Sequence, residues 1–190
     1  MKPGKWTKHG IMLVCVLFST IGQAASVQSR IEYYDVGAHD MGQLRAQINN
    51  QGPEKQGRRY SIAAEYSFTW TARVQVRDQR CEALEPDLEL TADLIMPRWI
   101  SQSKAEFGAQ QSWISYIAAA QQYHQQITRL IEQSAGRFVQ QTRGLNAPEC
   151  EKLEALINAK GRAALANAQQ KIRTYQRKTR YGRSLGLTVP

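Results

Sequence analysis

Beyond residue 25 the chain offers two histidines, His39 and His124, and two cysteines, Cys81 and Cys150, as the side chains best suited to hold a metal or act as a nucleophile. The histidines are far apart in sequence, so a site using both would have to bridge separate elements. Neither cysteine has a histidine nearby. An isolated pair in an oxidising compartment is read most simply as one disulfide, ahead of two free thiols or a metal site. No Gly-x-Ser-x-Gly elbow exposes a serine, and no glycine-rich phosphate loop occurs. The remaining chemistry is charge. From Lys171 to Arg183 the chain is basic, with Arg177, Lys178, Arg180 and Arg183 at its end. That end suits weak binding to an anionic surface, although a helix C-terminus favours exposed Lys and Arg for its own sake.

The compartment is read from the first residues. Lys2, Lys5, Lys8 and His9 precede a short apolar run over residues 11–21, which ends in Gly22-Gln23-Ala24-Ala25. These are the three regions of a secretory signal peptide over residues 1–25. The run falls short of the roughly 20 residues that a spanning helix needs. Cys15 follows Val14 rather than the small residue a lipobox requires, which argues against lipidation. The expectation is export with cleavage of the leader: a periplasmic or secreted protein with no nucleic-acid partner. Cleavage lowers the formal charge from +9 to +6, leaving 22 basic against 16 acidic residues. The remainder is read as a single domain over residues 26–176 and a basic, flexible tail over residues 177–190.

The elements come in the order strands, then helices. Residues 31–36 have the aromatic and β-branched content of a strand. Asp40 is a candidate N-cap for a short helix through Met41, Leu44 and Ile48, stopped by Gly52-Pro53. Residues 51–59 read as a charged loop. Residues 60–77 alternate through Tyr66, Phe68, Trp70, Ala72, Val74 and Val76, and residues 84–96 through Leu88, Leu90, Ala92 and Leu94. An antiparallel pair ended by Pro97 follows, with Cys81 in the connecting loop. Trp113, Ile117, Ala120, His124, Ile127, Ile131 and Phe138 form the stripe of a long amphipathic helix. Gly144 closes it, and Asn146 with Glu149 resembles a capping box opening a second helix. That helix carries Cys150, Leu153, Ile157, Ala164, Ala168 and Tyr175 on its stripe. The fold expected is α+β: a small antiparallel sheet with a short N-terminal helix, packed against two long C-terminal helices and pinned to the last by a Cys81–Cys150 bridge.

An ordered set of landmarks resembles a bacterial family of predicted secreted zinc-dependent proteases, a domain-of-unknown-function group related to small gluzincin-type peptidases. The set comprises Tyr33-Tyr34-Asp35-Val36, Leu44-Arg45 through Ile48-Asn49 to Gly52-Pro53, and Trp70. It continues with Leu94-Ile95-Met96-Pro97-Arg98-Trp99, Cys81, Trp113, Tyr116 and Cys150. The resemblance implies a zincin-like protease fold with His-Glu-x-x-His on the helix after Trp113 and Tyr116. Histidines at i and i+4 share a face and hold zinc, while the glutamate works on the metal-bound water. Counting from Trp113 and Tyr116, the motif falls on Tyr123-His124-Gln125-Gln126-Ile127.

Those positions are vestigial. A neutral phenol is a poor zinc ligand, Ile127 has no donor, and His124 occupies the place of the base. A register shifted by one residue puts Thr128 at the second ligand and fails as well. The resemblance and its degenerate motif together imply an exported, non-catalytic homologue of a zinc-dependent protease, with no catalytic residue and no cofactor, binding a peptide or protein partner in the cell envelope. The alternative is an active secreted metalloprotease with an unconventional zinc site. Were His-Glu-x-x-His restored at positions 123, 124 and 127, a third ligand would come from a downstream acid such as Glu132, Glu149 or Glu151. His124 itself reads as a core histidine hydrogen-bonded to a neighbour.

Overall fold

The computed structural model describes residues 27–189, so the expected leader, with Cys15, lies outside the described residues. The first strand, β1 (Gln28–Val36), leads into α1 (Met41–Gln51). Asp40 caps this helix, its carboxylate accepting from the Gln43 amide at 2.8 Å. Within the loop expected next, β2 (Glu54–Lys55) and β3 (Arg58–Arg59) form a small hairpin. Strand β4 (Ala63–Thr71) then pairs antiparallel with β7 (Asp87–Trp99), Tyr66 standing opposite Ala92 and Phe68 opposite Leu90.

The sheet order is β1-β7-β4, and β1 runs parallel to β7. The expected antiparallel sheet is therefore corrected to a mixed one. The intervening α1, hairpin and β4 return the chain to the starting end of β1, from which β7 can run alongside it in the same direction. The alternating stretch over residues 60–77 is also divided, because Ala72 and Arg73 carry the chain out of β4 into a second sheet. There β5 (Val74–Arg77) and β6 (Arg80–Ala83) make a hairpin whose two turn residues, Asp78 and Gln79, have φ of 49° and 60°. Positive φ at both turn positions matches the right-handed twist of the flanking strands. Strand β7 does not stop at Pro97. Its pairing with β4 ends at Ile95, so at Pro97 only β1 remains alongside, and a residue without an N–H is tolerated as on an edge strand.

Two long helices cover the sheet. Helix α2 (Phe107–Thr142) buries Trp113, Ala120, His124, Ile127, Ile131 and Phe138 of the expected stripe, and half-buries Ile117. Gly144, at φ 72°, lets the chain turn after it. Helix α3 (Cys150–Lys178) starts later than the capping-box reading placed it. Asn146–Ala147 forms a short strand, β8, against β6, and Glu149 precedes the helix without a side-chain cap bond. Pairing Ala147 with Cys81 delivers Cys150 to the bridge, with 5.1 Å between the two Cα atoms.

The core is continuous from sheet to helices. On β4 and β7, Tyr66, Phe68, Trp70, Leu90, Ala92 and Leu94 face α2, while Glu65, Thr69, Asp93 and Glu89 take the other side. Trp70 reaches α3, where its indole donates to Asn158 Oδ1 at 3.0 Å. A Cβ on Gly161 would lie 2.2 Å from that indole, so the glycine is what admits it. At the far end Val36, Leu44, Ile48, Trp99, Trp113 and Tyr116 join α1 to the sheet and to the start of α2. The end read as a flexible tail packs instead: Leu185 and Leu187 lie against the main core, and Val189 against the α1 cluster. Among the described residues no helix is long and apolar enough to cross a membrane.

Candidate functional site

The three motif positions lie mid-way along α2, and each has a different neighbour. Ile127 is 1% exposed within the core cluster that also holds Phe68, Leu90 and Ile131. One turn earlier, Tyr123 stacks on Tyr175 of α3 with ring centroids 5.4 Å apart, and meets the edge of the His124 ring. His124 turns toward the sheet, where its Nδ1 shares a hydrogen bond with the Tyr66 hydroxyl. The α-helical period explains the split: positions i and i+4 share a face, whereas i+1 points about 100° away.

Burial sets the ionisation of these groups. Desolvation holds the His124 imidazole down to about 4, because its charged form has no counter-ion to replace lost water. The Tyr66 phenol is pushed well above its ordinary value, first by burial and then by the neighbouring Tyr123 and Tyr175. Tyr123 is raised as well, again chiefly by burial. At neutral pH the cluster is therefore uncharged, and the His124 Nδ1 is already engaged by the Tyr66 hydroxyl.

The chain's own end closes this surface. After α3, residues 179–189 fold back over α2. A Cβ on Gly182 would sit 3.3 Å from the Tyr123 ring, and one on Gly186 would sit 3.8 Å from the Ala119 Cβ. Leu187 follows and touches all three apolar clusters. The backbone N–H groups of Leu185, Gly186, Leu187 and Thr188 bond within the segment itself, so apolar contact holds it to the body.

The other candidates are not brought to this place. Glu149 and Glu151 stand at the start of α3, whereas Tyr123 faces Tyr175 near its end. The two points are about 36 Å apart along the helix. Glu132 accepts from the Val27 amide at 3.2 Å. His39 is exposed before α1, bonded through its backbone to Gln43. Among the described residues no three of His, Cys, Asp and Glu come together as a metal could require. Cys81 and Cys150 are joined to each other, one helix length from Tyr123.

Sequence reasoning missed Tyr66 and Tyr175 as partners of the motif positions. Each carried a signal, since Tyr66 alternates inward with Phe68 and Trp70, and Tyr175 lies on the α3 stripe. The sheet also bears an open depression of about 270 Å³ near Arg30, Lys55, Glu65 and Asp93, and it lies on the face turned away from α2. Its cations are already engaged, Arg30 with Asp93 at 3.2 Å and Lys55 with Glu65 at 3.0 Å.

No curated protein and no solved structure matches the chain. A family profile described as a bacterial protein of unknown function, DUF922, matches residues 31–182. That span runs from β1 through the sheet, both long helices and the turn at Gly182 that closes over Tyr123, and so the chain belongs to the DUF922 family.

Proposed function

We propose that the protein is an exported, non-catalytic homologue of a secreted zinc-dependent protease, and that it binds a peptide or protein partner in the cell envelope. The observation that carries this reading is the packing of the motif positions. A zinc protease keeps two histidines and a water on one open helix face. Here Tyr123, stacked on Tyr175 and met by the returning chain end, and core-buried Ile127 hold that face. In the same reading the sheet on α2 is a zincin-like scaffold whose polar centre has been converted to core.

Export is supported by the leader pattern and by the Cys81–Cys150 bridge, which an oxidising compartment favours. Partner binding is supported by the way residues 182–189 already lie across Ala119 and Tyr123 through apolar contact. A partner segment carrying residues like Leu187 and Val189 would use the same surface by displacing the chain end.

The experiment is casein hydrolysis, with and without chelator, by protein recovered from the envelope fraction. The reading expects no chelator-sensitive hydrolysis. Activity that chelator abolishes and zinc restores would return the alternative, an active protease with an unconventional zinc site. Intact mass of the same material tests export: cleavage is expected near Ala24 or Ala25, and retention of Met1 would contradict it.

A further inference from the structure

The charge of the chain is unevenly divided. Residues 155–190 hold eight Lys and Arg and no Asp or Glu, whereas residues 26–154 hold fourteen basic and sixteen acidic residues. Among the described residues no ion pair joins any of the eight, although acids elsewhere on the chain are paired repeatedly. Six of them are exposed: Arg162, Arg173, Arg177, Lys178, Arg180 and Arg183. The helical period puts Arg162, Arg173 and Arg177 on one side of α3, eleven and four residues apart, turned away from buried Leu153, Ile157 and Ala168. This row is about 22 Å long.

The turn that follows α3 carries two more exposed arginines, Arg180 and Arg183. Arg180 and Tyr181 both adopt positive φ, 51° and 57°, a conformation that costs free energy for residues with a Cβ. Thr179 fixes the turn, its hydroxyl donating to the Tyr175 carbonyl at 2.9 Å and accepting from the Gly182 amide at 3.2 Å. The result is a held projection with Tyr181 67% exposed between two arginines. Tyrosine beside basic residues is the pairing favoured where water meets lipid headgroups.

We propose that this face docks on an anionic lipid surface, with α3 lying along it, the arginines against headgroup phosphates and Tyr181 at headgroup depth. The face has one projecting aromatic and no series of stacking rings, which suits a plane of headgroups better than a nucleic-acid strand.

Sedimentation of the mature full-length protein with vesicles tests it. Binding is expected to vesicles of half phosphatidylglycerol and half phosphatidylcholine, not to phosphatidylcholine alone, and to weaken as salt is added. Each cation removed is expected to cost about fivefold at low salt, so Arg162, Arg173, Arg177 and Arg180 all changed to Gln should lose several hundredfold. The matched control changes Arg58, Arg77, Arg80 and Lys104 to Gln, and should stay within a few-fold of wild type. Tyr181→Ser should weaken vesicle binding and leave binding to a sulfated polysaccharide unchanged. An equal loss in the control would reduce the effect to total charge and overturn the assignment. So would tighter binding to duplex oligonucleotide than to anionic vesicles at the same salt, or no vesicle binding at all.

Discussion

His124 should make the protein lose stability in mild acid. Its imidazole is 7% exposed, held at about 4 by burial against an ordinary 6.5, and bonded to Tyr66. Above pH 6.5 the ring is neutral in both folded and unfolded chains and contributes no pH dependence. Between 6.5 and 4 the unfolded chain takes up a proton there that the folded chain refuses, so the unfolded state is favoured as pH falls. About 2.5 pH units at 1.36 kcal/mol each give a total loss of roughly 3 kcal/mol. Carboxylates confuse the lower part of that range, among them Asp35, which Arg98 holds below its usual value. The useful window is therefore pH 6.5 to 5, where His124 alone should remove about 2 kcal/mol. The assay is urea unfolding with the disulfide intact, at half-unit steps of pH. His124→Gln should be less stable at pH 7 yet nearly flat across the window. A wild-type curve that is flat there, or a His124→Gln variant that keeps the wild-type slope, would refute the reasoning.

Two further predictions concern what ties the helices to the sheets. Reducing the Cys81–Cys150 bridge, which closes a separation of 69 residues, should lower stability by about 4 kcal/mol through added freedom of the unfolded chain. Denaturant titration with and without reductant measures it, and equal midpoints would contradict it. Gly161→Val should displace the Trp70 indole and break its bond to Asn158, at a cost of about 1–3 kcal/mol or more, visible as a red shift of tryptophan emission and a lower melting temperature. An unchanged spectrum and melting temperature would mean that Trp70 does not occupy that place.

Much of the fold was legible because single-element periodicity reports burial directly. The α2 stripe from Trp113 to Phe138 and the Asp40 cap are local patterns, and α2 and α1 formed where those patterns lie. What depended on pairing was not legible. The parallel alignment of β1 with β7 joins residues about sixty apart, and nothing in either strand specifies the direction of the other. Asn146 looked like a cap because its residue type suits one, but the β6 edge offered its backbone a strand partner instead. At the site, Tyr123, His124 and Ile127 were visible from spacing. Their partners Tyr66 and Tyr175 come from elements whose register is set only in three dimensions. The packing of the chain end was hidden for a related reason: Gly182 and Gly186 suggest fraying, yet here glycine allows close approach to Tyr123 and Ala119.

The central claim is that the motif face of α2 has become core and holds no catalytic metal. The most direct measurement is zinc per chain, by elemental analysis, of wild-type protein purified from the envelope without chelator, beside Tyr123→His/His124→Glu/Ile127→His. The account predicts far less than one zinc per wild-type chain, and a gain in the triple variant only if its two histidines can find a further ligand. Zinc near one per wild-type chain, lost together with chelator-sensitive hydrolysis when His124 is replaced by Gln, would contradict it.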